Sequence, residues 1–450
     1  MAGAASSPAP PTVLAVRRRS PYDREIVRLA VPALGALAAE PLYLLADTAI
    51  VGHLGTPQLA ALALAGALLS ALATVCNFLA YGVTAQVARL HGGGAVDRAG
   101  AVAAQALWVA LALGVAIAAL TAALAGPAIT VLGGDGEVGA LATTFLRIGA
   151  LGLPFALIAL AGQGYLRGVA DLRTPLKVVV AANLVNVVLE VVFVYGFDWG
   201  LPGSAWGTVI AQAGMGAAFV RILLAAPAGA LGRRPRADLI RPLLRMGGAL
   251  VIRTGSLLGS FLLAGAVLAR VNAQSLAAHQ VAMQLFIFLA LVLDAIAVAG
   301  QVIVGRRLGA GDAAGARAAA RRMIELSVAG GCALGLLLLA LRGVIPHAFT
   351  SDPKVIERAE TLWPLFALMQ PAGAAVFALD GILLGAGETG FLARSMLAAT
   401  LAFAAVSALS LALGWGVLGV WAGLNVLMLV RLASCGARFR GGRWQVVGTG

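Results

Sequence analysis

Five carboxylic acids stand inside otherwise apolar stretches of this sequence: Glu40, Asp47, Glu190, Asp294 and Asp380. On the most lenient insertion scale an acid at a helix centre in hydrocarbon costs about 2.5–3.5 kcal/mol, so each one retained implies an ion pair, a wet cavity or a site for a proton or metal cation. Spacing narrows the choice. Glu40, Tyr43 and Asp47 stand at i, i+3 and i+7, one stripe of a helix, and Asn183, Asn186 and Glu190 repeat that spacing. Thr74, Asn77 and Tyr81 do so again, and Thr208 and Gln212 lie one turn apart. Lipid cannot satisfy such groups, so the stripes are expected to converge on a shared interior cavity that holds water. Taken singly, the Asn, Gln and Thr side chains would serve equally as hydrogen-bonding glue between helices.

Asp47 and Glu190 have no basic residue deep in the first half's apolar stretches: Arg28, Lys177 and Arg221 fall at stretch ends, and Arg147 is near the end of its stretch. Unpaired acids in a wet cavity suit the uptake of H⁺ or Na⁺. In the second half Arg253 is the only basic residue placed deep, beside the deep acids Asp294 and Asp380. A structural ion pair or triad and a substrate site both stay open there. Catalysis has no comparable support. His53, His91, His279 and His347 show no ligand spacing, and Cys76, Cys332 and Cys435 are scattered. The chain reads as no enzyme, with no resident metal and no cofactor beyond a coupling ion, possible Na⁺ at Asp47 and Glu190 included.

The elements that position these residues follow from composition. Of 450 residues 61% are hydrophobic and 11% charged, with mean hydropathy +0.95, against about 25% charged in soluble domains. The apolar runs are long and rich in Ala and Leu, without the alternation of a β-barrel. They fall roughly at 26–53, 58–86, 99–125, 138–166, 175–196 and 203–226, then 245–270, 275–304, 320–342, 359–386, 391–414 and 416–434. Twelve transmembrane helices are predicted.

The chain is also duplicated. At an offset of 217 residues Gly164 and Gly168 of GYLRG fall on Gly381 and Gly385 of GILLG, and Pro154 falls on Pro371. Each half is therefore one bundle: an all-α membrane protein of two pseudo-symmetric six-helix bundles, residues 26–226 and 245–434. Residues 1–25 read as a disordered cytoplasmic leader, 227–244 as a cytoplasmic interlobe linker and 435–450 as a cytoplasmic tail. The acids are not duplicated. Asp47 and Glu190 fall on Ala264 and Ser407, whereas Asp294 and Asp380 fall on Asn77 and Gln163. Pro32, Pro154 and Pro371 each remove a backbone hydrogen bond and permit a kink, with Pro32 the expected hinge of the acid-bearing helix.

The net charge of +13 reflects topology rather than nucleic-acid binding, since 26 of 32 Lys and Arg fall on one side when both termini are cytoplasmic. That set includes Arg167 and Arg431. The stretches LADTAIVGHLGTPQLAALALA (45–65), GQGYLRGVADLRTPLKVVVAANLVNVVLEVVFVYG (162–196), GSAWGTVIAQ (203–212) and ALDGILLGAGETG (378–390) resemble the multidrug and toxic compound extrusion (MATE) transporters, in particular their DinF-type branch. The resemblance covers nearly all the chain after about residue 25. It implies a central cleft open to one side at a time, in a bacterial inner membrane, and export of amphipathic, often cationic compounds against H⁺ or Na⁺ by a monomer. It also assigns cation coupling to Asp47, Tyr43, Asn186, Glu190 and Thr208, and bending to Pro32. Glu190 departs from the Asp usual in the family, and the seventh helix, in which NorM-type relatives place an acid, here carries Arg253. Glu40, Asn77, Gln163, Asn183, Gln212, Arg253, Asp294 and Asp380 are the candidates for cleft or substrate contacts. A flippase for a lipid-linked or amphipathic precursor is the alternative, for which cleft cations would bind phosphate.

Overall fold

The structure, a computed structural model, describes residues 20–449. The leader expected over 1–25 lies mostly outside the described residues, but residues 21–25 already form a helical turn. Ser20 starts it with a capping box: its hydroxyl accepts the Tyr22 N–H at 3.4 Å, and Asp23 accepts the Ser20 N–H at 3.0 Å. From there the first six crossings are α1 (Pro21–Gly52), α2 (Thr56–Cys76) with α3 (Phe78–Gly92), α4 (Val96–Val131), α5 (Gly136–Ala150) with α6 (Leu153–Gly168), α7 (Arg173–Val191), and α8 (Gly200–Ala225). The second lobe contains α9 (Ala237–Val271), α10 (Ala273–Gly309), α11 (Ala313–Ala340), the single turn α12 (Ile345–Phe349), α13 (Pro353–Gly385), α14 (Thr389–Leu413) and α15 (Gly416–Arg440). Among the described residues eleven spans are long and apolar enough to cross a bilayer, and the bent pair α5–α6 makes a twelfth if it is one span. No strand occurs among the described residues.

Several boundaries differ from those read in the sequence. The segment 237–244, expected in the linker, forms the first two turns of α9, because Leu239, Leu243 and Gly247 recur every four residues and are buried while Arg241 and Arg245 face out. The true connection is 226–236, with one 3₁₀ turn at Gly229–Leu231. Similarly, α15 continues to Arg440, six residues beyond the expected end. The matched prolines act differently. Pro371 lies within continuous α13, but Pro154 sits in the first turn of α6, where its missing N–H is harmless, just after a 47° bend between α5 and α6.

The duplicated glycines are close-approach positions. A Cβ at Gly164 would lie 2.7 Å from the Ala80 carbonyl oxygen of α3, and one at Gly381 would overlap the Ala297 carbonyl of α10, the same contact one repeat later. The lobes meet by the same device. At the end of the bundle that carries both Ser20 and Thr449, Gly92 abuts the Arg306 carbonyl and Gly309 abuts the Arg89 carbonyl. These reciprocal contacts lie on either side of the pseudo-twofold axis.

The helix α1 belongs to both lobes. Its lower part packs Ile26, Leu29 and Ala33 into a core shared with Val298, Ile303 and Leu308 of α10 and Met323 of α11. There Asp23 pairs with Arg322 at 2.7 Å and Glu25 with Arg307 at 3.3 Å. Its upper part joins the first lobe, where Val51 packs with Ala61, Phe145 and Leu201. Substituting Gly381→Val should lower the thermal unfolding midpoint of the purified protein by several degrees, since the overlap costs about 1–3 kcal/mol or more. Gly126→Ala, with nothing within 4 Å of the added methyl, should leave it unchanged.

Candidate functional site

The upper part of α1 forms one wall of a cavity of about 390 Å³ in the first lobe. Glu40, Tyr43 and Asp47 line it from α1, Leu59, Leu62 and Leu69 from α2, Phe145 from α5, Leu153 from α6, and Thr208 and Gln212 from α8. The stripes of the first and sixth crossings therefore meet as the spacing predicts. Glu190 and Asn186, on α7, stand behind this wall, 0% and 3% exposed.

Thr208 joins the groups. Its hydroxyl lies 3.0 Å from the Tyr43 hydroxyl, accepts from the Asn186 amide at 3.3 Å and faces Glu190 Oε1 at 3.4 Å. Ser204, one turn earlier on α8, donates to Asp47 Oδ1 at 2.7 Å. Asp47 and Glu190 are thus held near one another, reached from successive turns of α8 through Ser204 and Thr208. Two bare carboxylates repel at that range, so the arrangement suits one shared proton. Glu190 Oε2 and Asn186 Oδ1 remain buried with no hydrogen-bond partner among the described residues, a carboxyl oxygen open to a proton beside an amide oxygen that can only accept a hydrogen bond or face a cation.

Local sequence explains the approach. Ser204 lies inside GSAWG, whose Gly203 and Gly207 let α8 run against the backbone of Phe193 and Glu190; a Cβ at Gly207 would sit 3.1 Å from Glu190 N. Immediately after Glu190 the helix widens into a π turn, Val192–Gly196, a form common beside functional groups. Ser204 was missed in the sequence because a lone Ser carries no cost in a helix. The G-x-x-x-G spacing around it was the available signal.

The other candidates separate into distinct roles. Glu40 is exposed to the cavity with no hydrogen bond or ion pair among the described residues. Asn183 donates to the Ala39 carbonyl at 2.9 Å and ties α7 to α1 as glue. The second-crossing stripe does not reach the cavity. Asn77 marks the break between α2 and α3, and Tyr81 faces the other lobe, where its hydroxyl donates to Asp294 at 3.0 Å and its carbonyl accepts from Gln301 at 2.6 Å.

The reading of Arg253 as the one deep basic residue is corrected. Arg431, counted at the cytoplasmic side, is 2% exposed because α15 is longer than expected, and it binds the Asp380 carboxylate together with Arg253. Arg167, counted with it, is 8% exposed and donates to Gln163 at 3.2 Å. The triad is thus Arg253, Asp380 and Arg431, with Asp294 held by Tyr81 instead. His279 is buried, with its ring centroid 5.8 Å from that of Trp421.

One repeat on from the first-lobe site the residues are Ser260, Ala264, Phe403, Ser407, Trp421 and Asn425. Phe403 and Trp421 are fully buried and fill the space, while Asn425 bonds the Leu365 and Trp421 carbonyls at 3.1 and 2.9 Å.

The MatE family profile matches residues 32–192 and 252–409. Protein DETOXIFICATION 44, chloroplastic, of Arabidopsis thaliana is 30% identical over 444 residues, covering 94% of this chain and 84% of its own length. DNA damage-inducible protein F of Escherichia coli (strain K12) is 28% identical over 433 residues, 94% of each chain. Among solved structures, a MATE in its bent conformation superposes with a TM-score of 0.86 at 20% identity, covering 95% of this chain and 96% of that one. A MOP superfamily transporter from Pyrococcus furiosus gives 0.83 at 19%, covering 95% and 96%. At such identity these two likenesses carry the fold alone.

Asp380→Ala would strand two buried guanidinium groups, so it should cost about 3–5 kcal/mol in chemical denaturation. Arg253→Met, Asp380→Leu and Arg431→Met together should recover most of that loss.

Proposed function

The chain belongs to the MatE family of multi-pass membrane transporters, and from that premise we propose that it is a secondary antiporter exporting amphipathic, often cationic compounds in exchange for H⁺. The observation that carries the reading is the Asp47–Glu190 pair, two buried acids held from successive turns of α8 by Ser204 and Thr208, with no basic partner among the described residues and one Glu190 oxygen unclaimed. The membrane is a bacterial inner membrane with both termini cytoplasmic, a placement supported by the basic-residue asymmetry and by relatives such as the Escherichia coli protein.

Proton binding at the pair shifts the balance between the two facing states only if its affinity differs between them. The anchoring of α1 supplies a physical source for that difference. Its lower end is fixed to the second lobe by the Asp23–Arg322 and Glu25–Arg307 pairs, while its upper end is held in the first lobe through Asp47 and Ser204. Pro32 lies between them, fifteen residues before Asp47, about 22 Å along the helix. A second helix-interior proline, Pro41, sits closer to the acids. Protonating Asp47 weakens its charge-assisted hold on Ser204, so the upper part of α1 reorients at these prolines while the lower part stays fixed.

Cargo selection falls to the same cavity. Apolar walls from Leu59, Leu62, Leu69 and Phe145 take the organic body, and the free Glu40 carboxylate with the Gln212 amide takes the charged end. The flippase alternative asks for free cations in the cleft. Arg253 and Arg431 are committed to Asp380, and Arg167 is hydrogen-bonded to Gln163.

Asp47→Asn should express and melt like the parent while dye accumulation in inverted vesicles under an imposed pH gradient falls to the leak rate; full export would overturn the model. A Na⁺ gradient alone should drive nothing, and if it drives export the coupling ion is Na⁺. Glu40→Gln should weaken transport of cationic dyes about fivefold to tenfold, a loss of about 1.0–1.4 kcal/mol. Neutral amphiphiles should be carried as before.

A further inference from the structure

Beyond α15 the chain turns at Gly442, in a left-handed conformation with φ +68°, and runs back across the end of the bundle. Trp444 anchors it. Its indole is 0% exposed, stacks on Phe439 at 5.3 Å and donates to the Phe439 carbonyl at 2.9 Å. The Gly448 N–H then donates to the Leu308 carbonyl at the end of α10, also at 2.9 Å. The segment is thereby part of the second lobe.

A residue of the first lobe grips it. Arg89, in the last turn of α3, donates through Nε to the Gly448 carbonyl at 3.3 Å and through Nη2 to the Val446 carbonyl. Its Nη1 donates to the Ala386 carbonyl just past α13 at 3.1 Å. A single guanidinium therefore caps three carbonyls of the opposite lobe, a geometry that its planar fork of donors fits and an ammonium does not. Alongside, the Thr449 methyl lies against Gly93. The grip is not a product of the duplication. The counterpart of Arg89 is Arg306, which makes no side-chain hydrogen bond or ion pair among the described residues, and the tail lies beyond the matched segments of the family.

This end is where the lobes touch through Gly92 and Gly309. Parting the lobes here must draw Arg89 away from all three carbonyls at once. We propose that residues 442–449 are a latch, fixed to the second lobe by Trp444 and clasped by Arg89, that stabilises the state closed at this end and must release before the transporter can open there. Its strength depends on backbone carbonyls, so the sequence of residues 446–449 matters less than their presence.

The test keeps the anchor. Deleting residues 446–450 removes the gripped carbonyls but leaves Trp444 and its stack on Phe439, and Arg89→Gln removes the clasp with the tail intact. In both, spin labels at Arg98→Cys of the first lobe and Ala314→Cys of the second report the separation of the lobes at this end, with the three native cysteines replaced. In reconstituted nanodiscs each variant should raise the ratio of long-distance to short-distance population at least fivefold over the parent, about 1 kcal/mol. An unchanged distance distribution in both variants overturns the latch. A fall in melting temperature with the parent's distances also overturns it, because the tail would then be only a structural cover.

Discussion

Hydrocarbon offers a carboxyl group nothing, so the acids that this chain carries into the membrane have had to find partners within the protein, except Glu40, which faces the cavity. Asp380 finds two arginines, Asp294 a tyrosine from the opposite lobe, and Asp47 a serine. Glu190 finds only a distant Thr208 and its fellow acid. The rest of the architecture serves these arrangements. Glycines thin α8 so that Ser204 and Thr208 can reach the acids, the π turn follows Glu190 directly, and α1 spans both lobes with its acid at one end.

The two lobes treat their charges differently for a physical reason. In the triad of Arg253, Asp380 and Arg431 each member has an opposite charge in contact, and the low-dielectric surroundings reinforce the attraction, although the Nε of each arginine has no hydrogen-bond partner among the described residues. Such a cluster fixes α9, α13 and α15 together. The first-lobe pair is unsaturated, with like charges facing and an orphaned oxygen. A proton arriving at the pair relieves a repulsion, whereas one arriving at Asp380 would break two ion pairs, and that difference supports placing the proposed coupling at the pair.

What was legible in the sequence depended on how much each residue costs where it stands. Asp47 and Glu190 are expensive in a span, and their helical spacing from Tyr43 and Asn186 identified the converging faces. Ser204 is cheap in any helix, so its place beside Asp47 emerged only with the packing of α8. Arg431 was misplaced because a basic residue near a span's end ordinarily marks the membrane surface; the extra turns of α15 put it inside instead. Asn77 shared a stripe with Tyr81, but spacing on one helix cannot say which neighbour that stripe faces, and here it was the other lobe. The twelve crossings and their pairing by duplication were plain from composition and repeat, while the linker and tail boundaries were not, since amphipathic turns at helix ends read as polar loops.

The filled counterpart site in the second lobe has a mechanical consequence. The first lobe has a cavity between α1, α2 and α8, beside Asn186 and Ser204, whereas their counterparts Phe403 and Trp421 are fully buried aromatic rings. Close-packed protein is nearly incompressible, whereas a lobe with a cavity can deform at small cost. Matched positions in the two bundles are therefore unequally yielding: side chains around Asn186 and Ser204 have an adjoining cavity to move into, whereas Phe403 and Trp421 are enclosed on every side.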